Sequence, residues 1–278
     1  MARFQLSLDA CTDDIDEVIE VPEGITVIGE GAFENKRRLK KIILPEGVRE
    51  IRTRAFSGCV NLEHVELPST LEVIGKEAFR GCWRLEEANI PEGVRELPER
   101  VFIRCRHLSH VDIPASMKRI GMQCFRHAAA LRDITLPEGI TAIEDGVFQD
   151  CIALTEVSLP QSVVEFGNDA FNGCCDLESI ALPESLAWMG QRCFKGCIAL
   201  KSLAIPNEVR SIEEGAFDGC RELAHISLPE SLEFVDAHAF RACQSLDLET
   251  LRKSIPPNAS IATSAFDALA EETHSDTL

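Results

Sequence analysis

Phenylalanine and proline recur along this chain at one fixed interval, which constrains the fold more than any other feature. Phe stands every 23 residues in ten places from Phe33 to Phe240, and Pro does the same from Pro22 to Pro229. A repeat of this length indicates one turn of a solenoid, because a single unit cannot bury its apolar side chains without a neighbour. The 278 residues, which by length alone suggest one or two domains, are therefore predicted to form one continuous stack.

The first part of each unit predicts a short β-strand. In the third unit, Val65 and Leu67 are predicted to face the core. His64 and Glu66 alternate with them and are predicted to face solvent. Pro68 follows at once and ends the strand, because it has no N–H group for a ladder.

The second part of the unit predicts a return to the next strand. Leu71 and Ile74 belong to a second short extended segment, and Lys76–Phe79 fits a single helical turn. Gly81 then permits the positive φ that reverses the chain. Since stacked strands lie about 4.8 Å apart, ten such turns predict a body on the order of 50 Å long.

The repeated motif resembles the leucine-rich repeat, and within it the BspA-like type. It reads Leu-x-x-Val/Ile-x-Leu-Pro-Glu-Gly/Ser-Val-x-x-Ile-Gly-x-x-Ala-Phe-x-Gly-Cys, is almost intact from Leu131 to Cys151, and extends from about Ile15 to Leu269. The column where other leucine-rich repeats place Asn holds Gly, Ser, Thr or Glu, which favours the BspA-like type. The resemblance implies a right-handed, mainly β solenoid, with a concave parallel sheet of short strands and single helical turns on the convex side. It also implies an interaction surface without catalytic residues.

Both ends of the chain depart from the pattern, as terminal repeats of a solenoid do. The strand predicted at Val18–Val21 lacks the preceding Leu and Phe, and Arg252 stands where the next Pro is expected. We predict an N-terminal cap at 1–21 and ten tandem repeats at 22–251. A degenerate C-terminal repeat at 252–270 and a flexible tail at 271–278 are predicted to follow.

Eight of the twelve cysteines share one column, three residues after the repeated Phe: Cys59, Cys82, Cys105, Cys151, Cys174, Cys197, Cys220 and Cys243. We interpret them as small buried hydrophobic residues, because Ala128 fills the same column in the fifth unit. A chain of disulfides between stacked turns is the alternative. No Cys-x-x-Cys spacing indicates a metal site. So many thiols without an export signal fit a reducing compartment.

The exposed positions of the predicted concave strands are the candidate partner-binding residues: His64, Glu66, Glu87, Asn89, His110, Asp112, Asp133 and Glu156. Such a cluster could also hold a divalent ion or a proton, but an open sheet provides neither a closed coordination sphere nor exclusion of water. The sequence contains no phosphate-binding glycine loop, nucleophile elbow or metalloprotease helix. We therefore predict no enzyme activity, metal or cofactor.

Charge is distributed unevenly along the chain. The net charge of −18 disfavours binding to nucleic acid and anionic lipid. Residues 1–132 carry 20 Lys and Arg against 21 Asp and Glu, whereas residues 133–278 carry 8 against 25. Many arginines of the first half lie around the Phe-bearing turns, so either this is ordinary surface or the module is bipolar, with an Arg-rich edge for an acidic partner.

These features favour a non-catalytic protein–protein interaction scaffold, monomeric, with a partner of basic character and no insertion into a membrane. A cytoplasmic location is predicted because no signal peptide or transmembrane segment is seen in the sequence. The alternative is a surface or secreted adhesin, and a metal-dependent or enzymatic role ranks third.

Overall fold

Most of the 23-residue units contribute two short parallel strands to a stack of about eleven turns. The computed structural model describes residues 5–6 and 16–267. Of the predicted N-terminal cap, only residues 5–6 and 16–21 are described, and the tail predicted at 271–278 lies outside the described residues.

The strands form two columns. Strands of three residues form the first column: Val18–Glu20, Lys41–Ile43, His64–Glu66, Glu87–Asn89, His110–Asp112, Asp133–Thr135, Glu156–Ser158, Ser202–Ala204 and His225–Ser227. Strands of two residues form the second column: Gln5–Leu6, Val27–Ile28, Glu50–Ile51, Val73–Ile74, Glu96–Leu97, Arg119–Ile120, Ala142–Ile143, Glu165–Phe166, Trp188–Met189, Ser211–Ile212, Phe234–Val235 and Ser260–Ile261. The paired strands are parallel and usually offset by one repeat, as His110 is opposite Glu87. The predicted pair of strands is confirmed in most units.

The repeated phenylalanines form a continuous stack through the core. Their rings are nearly parallel, with centroids 5.2 Å apart between Phe33 and Phe56 and 5.8 Å apart between Phe125 and Phe148. Phe266 extends the stack beyond Phe240 at 5.6 Å. The ten repeated rings are buried, so each large apolar surface is removed from water by its two neighbours. This stack couples every turn to the next.

The segment around each Phe differs from the predicted helical turn. Positive φ angles occur two residues before and two residues after the ring, as at Glu77 (55°) and Gly81 (68°) around Phe79. The N–H groups of Phe79 and Gly81 donate to Val101 and Ile103 in the next turn, at 3.0 and 2.8 Å. A helix is excluded here because alternate N–H groups bond between turns. The Phe-bearing segments therefore form a third hydrogen-bonded column.

The first strand column is divided into separate sheets, although the Phe-bearing column is continuous. Strand pairing is interrupted between residues 64–66 and 87–89, and again between 110–112 and 133–135. Residues 179–181 are not assigned to a strand and separate 156–158 from 202–204. Ser or Thr stands two residues after the strand-ending Pro in each turn that precedes an interruption: Thr70, Ser116, Ser162 and Ser185.

These hydroxyl groups bond backwards along the stack. Thr70 Oγ1 donates to the carbonyl oxygen of Val48 at 2.9 Å and accepts from the N–H group of Gly47 at 2.8 Å. Ser162 Oγ likewise donates to the carbonyl oxygen of Ile140 at 2.7 Å. Each hydroxyl group therefore connects its turn to the preceding turn. The strand pairing is interrupted between its own turn and the following one. Hydroxyl groups thus form hydrogen bonds in the column that holds Asn in the general leucine-rich repeat pattern.

The last unit replaces its first strand by a helix, Leu248–Ser254. Asp247 caps this helix by accepting from the N–H groups of Glu249 and Thr250, and Leu251 packs into the core. The helix crosses the boundary predicted between the tenth repeat and the degenerate repeat at 252–270. The strand Ser260–Ile261 then returns the chain to the second column.

Candidate functional site

The candidate partner-binding residues share one exposed surface, formed by the outward-facing side chains of the first strand column. We call this surface the strand face, and all eight members are exposed: His64, Glu66, Glu87, Asn89, His110, Asp112, Asp133 and Glu156. The residues between them point inward, as the buried Ala88 and Ile134 show. The alternation of the sequence therefore correctly predicts which side chains face solvent.

The strand pairing brings some of these residues together and separates others. His110 is opposite Glu87, and Asp112 is opposite Asn89. Residues 64–66 belong to a different sheet from 87–89, so the candidate residues do not form one ladder. The strand face is thus a series of small polar groups.

Asp133 and Glu156 are directly opposite each other in paired parallel strands. Like charges in this position destabilise a sheet, because the side chains are close and neither offers a hydrogen to the other. Neither carboxylate forms an ion pair with a residue in the described part of the chain. The fold therefore retains a repulsive pair on the surface that could bind a partner.

Other carboxylates of the strand face differ in how they are balanced. Glu66 Oε1 lies 2.7 Å from Lys41 Nζ, and Asp112 Oδ1 lies 3.0 Å from His110 Nε2. Glu87 forms no ion pair with any residue between 16 and 267. The unbalanced negative charge is therefore located at Glu87, Asp133 and Glu156.

Metal coordination finds no support in this arrangement. Within residues 5–6 and 16–267, no group of three or more His, Cys, Asp or Glu side chains could hold a metal ion. A cleft of about 640 Å³ adjoins Glu156, where residues 179–181 leave the strand ladder. Its lining includes Ser158 and Ser179 but no His or Cys.

The cysteine column is buried and its thiols are unpaired in the structure. Each Sγ donates to the carbonyl oxygen of the repeated Phe in the preceding turn, as Cys197 does to Phe171 at 3.2 Å. Burial raises the pKa of the Cys59 and Cys243 thiols to about 12. A thiol that stays protonated is a poor nucleophile and a poor metal ligand. Packing is therefore confirmed as the role of this column, and the hydrogen bond to Phe is an addition that the sequence did not reveal.

Comparison with protein families identifies the repeat. The model of the BspA type leucine rich repeat region matches residues 11–132 and 118–247, with six copies. The chain belongs to the BspA-type leucine-rich repeat family. The resemblance drawn from the repeated motif is confirmed, and the BspA-type repeat accounts for nearly the whole stack.

Solved structures support the same fold. The T. pallidum leucine-rich repeat protein is 34% identical with a TM-score of 0.56, and the match covers 58% of this chain and 78% of that one. A leucine-rich repeat protein from Bacteroides ovatus is 27% identical with a TM-score of 0.53, covering 88% of this chain and 83% of that one. One from Eubacterium ventriosum, at 18% identity, a TM-score of 0.53 and coverage of 94% and 85%, shows similarity of fold alone. Comparison with curated proteins found no match.

In the part of the chain that the structure describes, no helix is long and apolar enough to cross a bilayer.

Proposed function

We propose that this BspA-type protein is a non-catalytic scaffold that binds a protein partner of basic character through the strand face. The opposed carboxylates of Asp133 and Glu156 carry the proposal. Their repulsion costs stability, and a bound cation would relieve it. A Lys or Arg side chain of a partner placed between them would gain two carboxylate contacts and remove the repulsion.

The composition of the strand face supports recognition by charge rather than by burial of large apolar side chains. Its eight members include no aromatic anchor. Contacts of this kind increase the rate of association more than the residence time, and they weaken as salt is added. The net charge of −18 adds long-range attraction for a basic partner.

Neutralising the opposed pair tests this proposal, because stability and binding should change in opposite directions. Asp133→Asn with Glu156→Gln should raise the free energy of unfolding by about 0.5 kcal/mol, since the repulsion is removed. The same double variant should bind a short lysine-rich peptide more weakly than the unchanged protein, as measured by fluorescence anisotropy. Unchanged binding of that peptide would count against the strand face.

A cytoplasmic location is part of the proposal. The eleven described cysteines are free thiols, a state that a reducing compartment maintains. The alternative, a surface or secreted adhesin, requires export into an oxidising environment. Cell fractionation with sequencing of the mature N-terminus distinguishes the two locations, because only an adhesin should appear outside the cytoplasm.

A further inference from the structure

A second charged surface lies on the Phe-bearing side of the first turns. A cleft of about 350 Å³ opens there, and its lining includes Arg37, Arg80, Trp83 and Arg104. We call these four residues the arginine cleft. Glu34 also lines it, so three guanidinium groups face one carboxylate. The cleft is thus positive in a chain whose net charge is −18.

The arginines of the cleft are poorly neutralised by the protein itself. Arg37 and Arg104 form no ion pair with a residue that the structure describes. Arg80 lies 3.5 Å from Glu77, but that carboxylate is closer to Arg54, at 3.0 Å. Arg37 and Arg104 thus lack the acidic partner in an adjacent turn that Arg54, Arg192 and Arg241 have.

Trp83 and Arg106 form a preorganised pair at one end of the cleft. Trp83 is 45% exposed, and the guanidinium carbon of Arg106 lies 5.3 Å from the centre of its ring. The ring attracts the guanidinium group as a cation, and the N–H groups of Arg106 can bind a carboxylate in a bidentate manner. The exposed parts of the ring add an apolar contact for a ligand that reaches the cleft.

The charges of three arginines also reach His127. Burial lowers the pKa of His127, and the charges of Arg126, Arg104 and Arg106 lower it further, against the opposing effect of Asp150. Three guanidinium groups, of which Arg104 belongs to the cleft, therefore act on this imidazole. An anionic group entering this region would be attracted by the same charges.

The backbone beneath the cleft cannot pair with an incoming strand. Asn35 and Gly58 donate their N–H groups to the carbonyl oxygens of Ser57 and Arg80 in the next turns, both at 2.7 Å. Gly81 is bonded in the same way at 2.8 Å. A ligand of the cleft must therefore be bound by side chains. Clusters of arginine bind acidic motifs in other proteins in this way.

We propose that the arginine cleft binds a short acidic peptide segment of a partner, whose carboxylates pair with Arg37, Arg104 and Arg106 while an adjoining side chain packs on Trp83. The segment must be short, because residues 133–278 carry 8 basic against 25 acidic residues and repel a longer acidic chain. This binding is independent of the strand face, which takes the opposite charge.

The test uses the full chain and two short peptides, one of glutamates separated by glycines and one with each glutamate replaced by glutamine. Binding is measured by fluorescence anisotropy of the labelled peptides. The glutamate peptide should bind, and Arg104→Gln with Arg106→Gln should weaken its affinity at least tenfold, which is the loss expected for two charge-assisted contacts. The glutamine peptide should bind at least tenfold more weakly to the unchanged protein.

The matched control removes two exposed arginines that lie outside the cleft, by Arg95→Gln with Arg221→Gln. Arg221 occupies the column of Arg106 in the ninth unit, and neither control residue forms an ion pair within the described ranges. This control should keep the affinity within about twofold, since surface charges distant from the ligand are screened by salt. Arg104→Lys with Arg106→Lys keeps the charge and should give an intermediate loss, because the bidentate fork is gone.

Intrinsic fluorescence adds a local readout. In a Trp188→Phe protein, Trp83 is the one remaining tryptophan, so the glutamate peptide should change its emission. Four results would overturn the proposal: no binding of the glutamate peptide, equal loss in the control variant, equal binding of the glutamine peptide, or an unchanged Trp83 emission at saturation. Tighter binding of a sulfated oligosaccharide or a single-stranded oligonucleotide of equal charge would also reject the acidic peptide as the ligand.

Discussion

Arg241 holds Asp218 in a bidentate ion pair that joins the ninth and tenth turns, with Nε to Oδ1 at 2.9 Å and Nη2 to Oδ2 at 2.7 Å. Lys195 of the eighth turn approaches the same carboxylate at 3.2 Å. The three residues occupy one column, each directly after a repeated Phe. They connect three turns along the Phe-bearing column, where backbone bonds join the same turns, as from the N–H group of Gly196 to the carbonyl oxygen of Asp218 at 2.7 Å.

The first prediction concerns this carboxylate. Burial would raise the pKa of Asp218, but hydrogen bonds from Arg241 and Lys195 outweigh it and lower the pKa below its usual value. The pair therefore stabilises the fold above the unfolded-state pKa, and the stabilisation is lost as pH falls through the lower folded-state pKa. Asp218→Asn should cost about 2 kcal/mol near neutral pH and progressively less at acidic pH.

Urea unfolding at a series of pH values measures that difference. Asp176→Asn is the control, because Asp176 is exposed and has no ion-pair partner in the part of the chain described. It should change stability by less than about 0.5 kcal/mol at every pH. A cost for Asp218→Asn that persists unchanged at low pH would show that the carboxylate charge is not the cause.

The second prediction concerns the thiols. Burial raises the pKa of the column cysteines, and Cys175 is the described cysteine that is partly exposed. A thiol reagent at mildly alkaline pH should therefore modify Cys175 much faster than the other described cysteines, as measured by mass spectrometry of the peptides. Denaturation without a reductant should release the remaining thiols.

Cys175→Ser is the matched variant for this measurement. It should remove the fast modification at that peptide and leave the buried column protected. Several blocked thiols in freshly purified, denatured protein would instead support the disulfide alternative and an oxidising compartment.

A third prediction follows from the stack of rings. Phe148 lies 5.8 Å from Phe125 and 5.4 Å from Phe171, measured between ring centres. Phe148→Ala should lower the free energy of unfolding by about 3–5 kcal/mol, because it opens a cavity between two rings. Hydrogen exchange should accelerate first in the adjoining turns, since contacts run between nearest neighbours.

Ile152→Ala is the control for the ring, because Ile152 is exposed in the same unit. It should cost less than about 0.5 kcal/mol. Uniform acceleration of exchange from one end of the stack to the other would contradict the nearest-neighbour account.

Much of this fold can be predicted from the period alone. Residues 23 apart occupy one column, so the positions of Phe56 and Phe79 already predict the stacked rings, and Arg54 and Glu77 already predict an ion pair between turns. The alternation of His64 with Val65 likewise predicts which side faces solvent. These features depend on spacing, which a sequence shows directly.

Other features depend on the backbone direction, which spacing does not determine. Positive φ at Glu77 could not be predicted, because a non-glycine residue disfavours it. The bond from Cys197 to Phe171 requires a carbonyl that points along the stack. The interruptions after Thr70 and its equivalents become understandable only when the hydroxyl is seen to bond backwards.

The central claim is that the strand face binds a basic protein partner. The variant that tests it most directly removes four carboxylates of that face: Glu66→Ala, Asp112→Ala, Asp133→Ala and Glu156→Ala. A control variant removes four exposed carboxylates elsewhere: Glu96→Ala, Glu165→Ala, Glu184→Ala and Glu230→Ala. Both change the net charge equally, so only the position of the lost charge differs.

The deciding measurement is the affinity of a short lysine-rich peptide for these two proteins, by fluorescence anisotropy at low and high salt. The account predicts that the strand-face variant loses at least about tenfold in affinity, keeps its thermal stability and loses most of its salt dependence. The control should keep most of the affinity. Equal losses in the two variants, or an affinity that ignores both the strand-face changes and the salt concentration, would contradict the account.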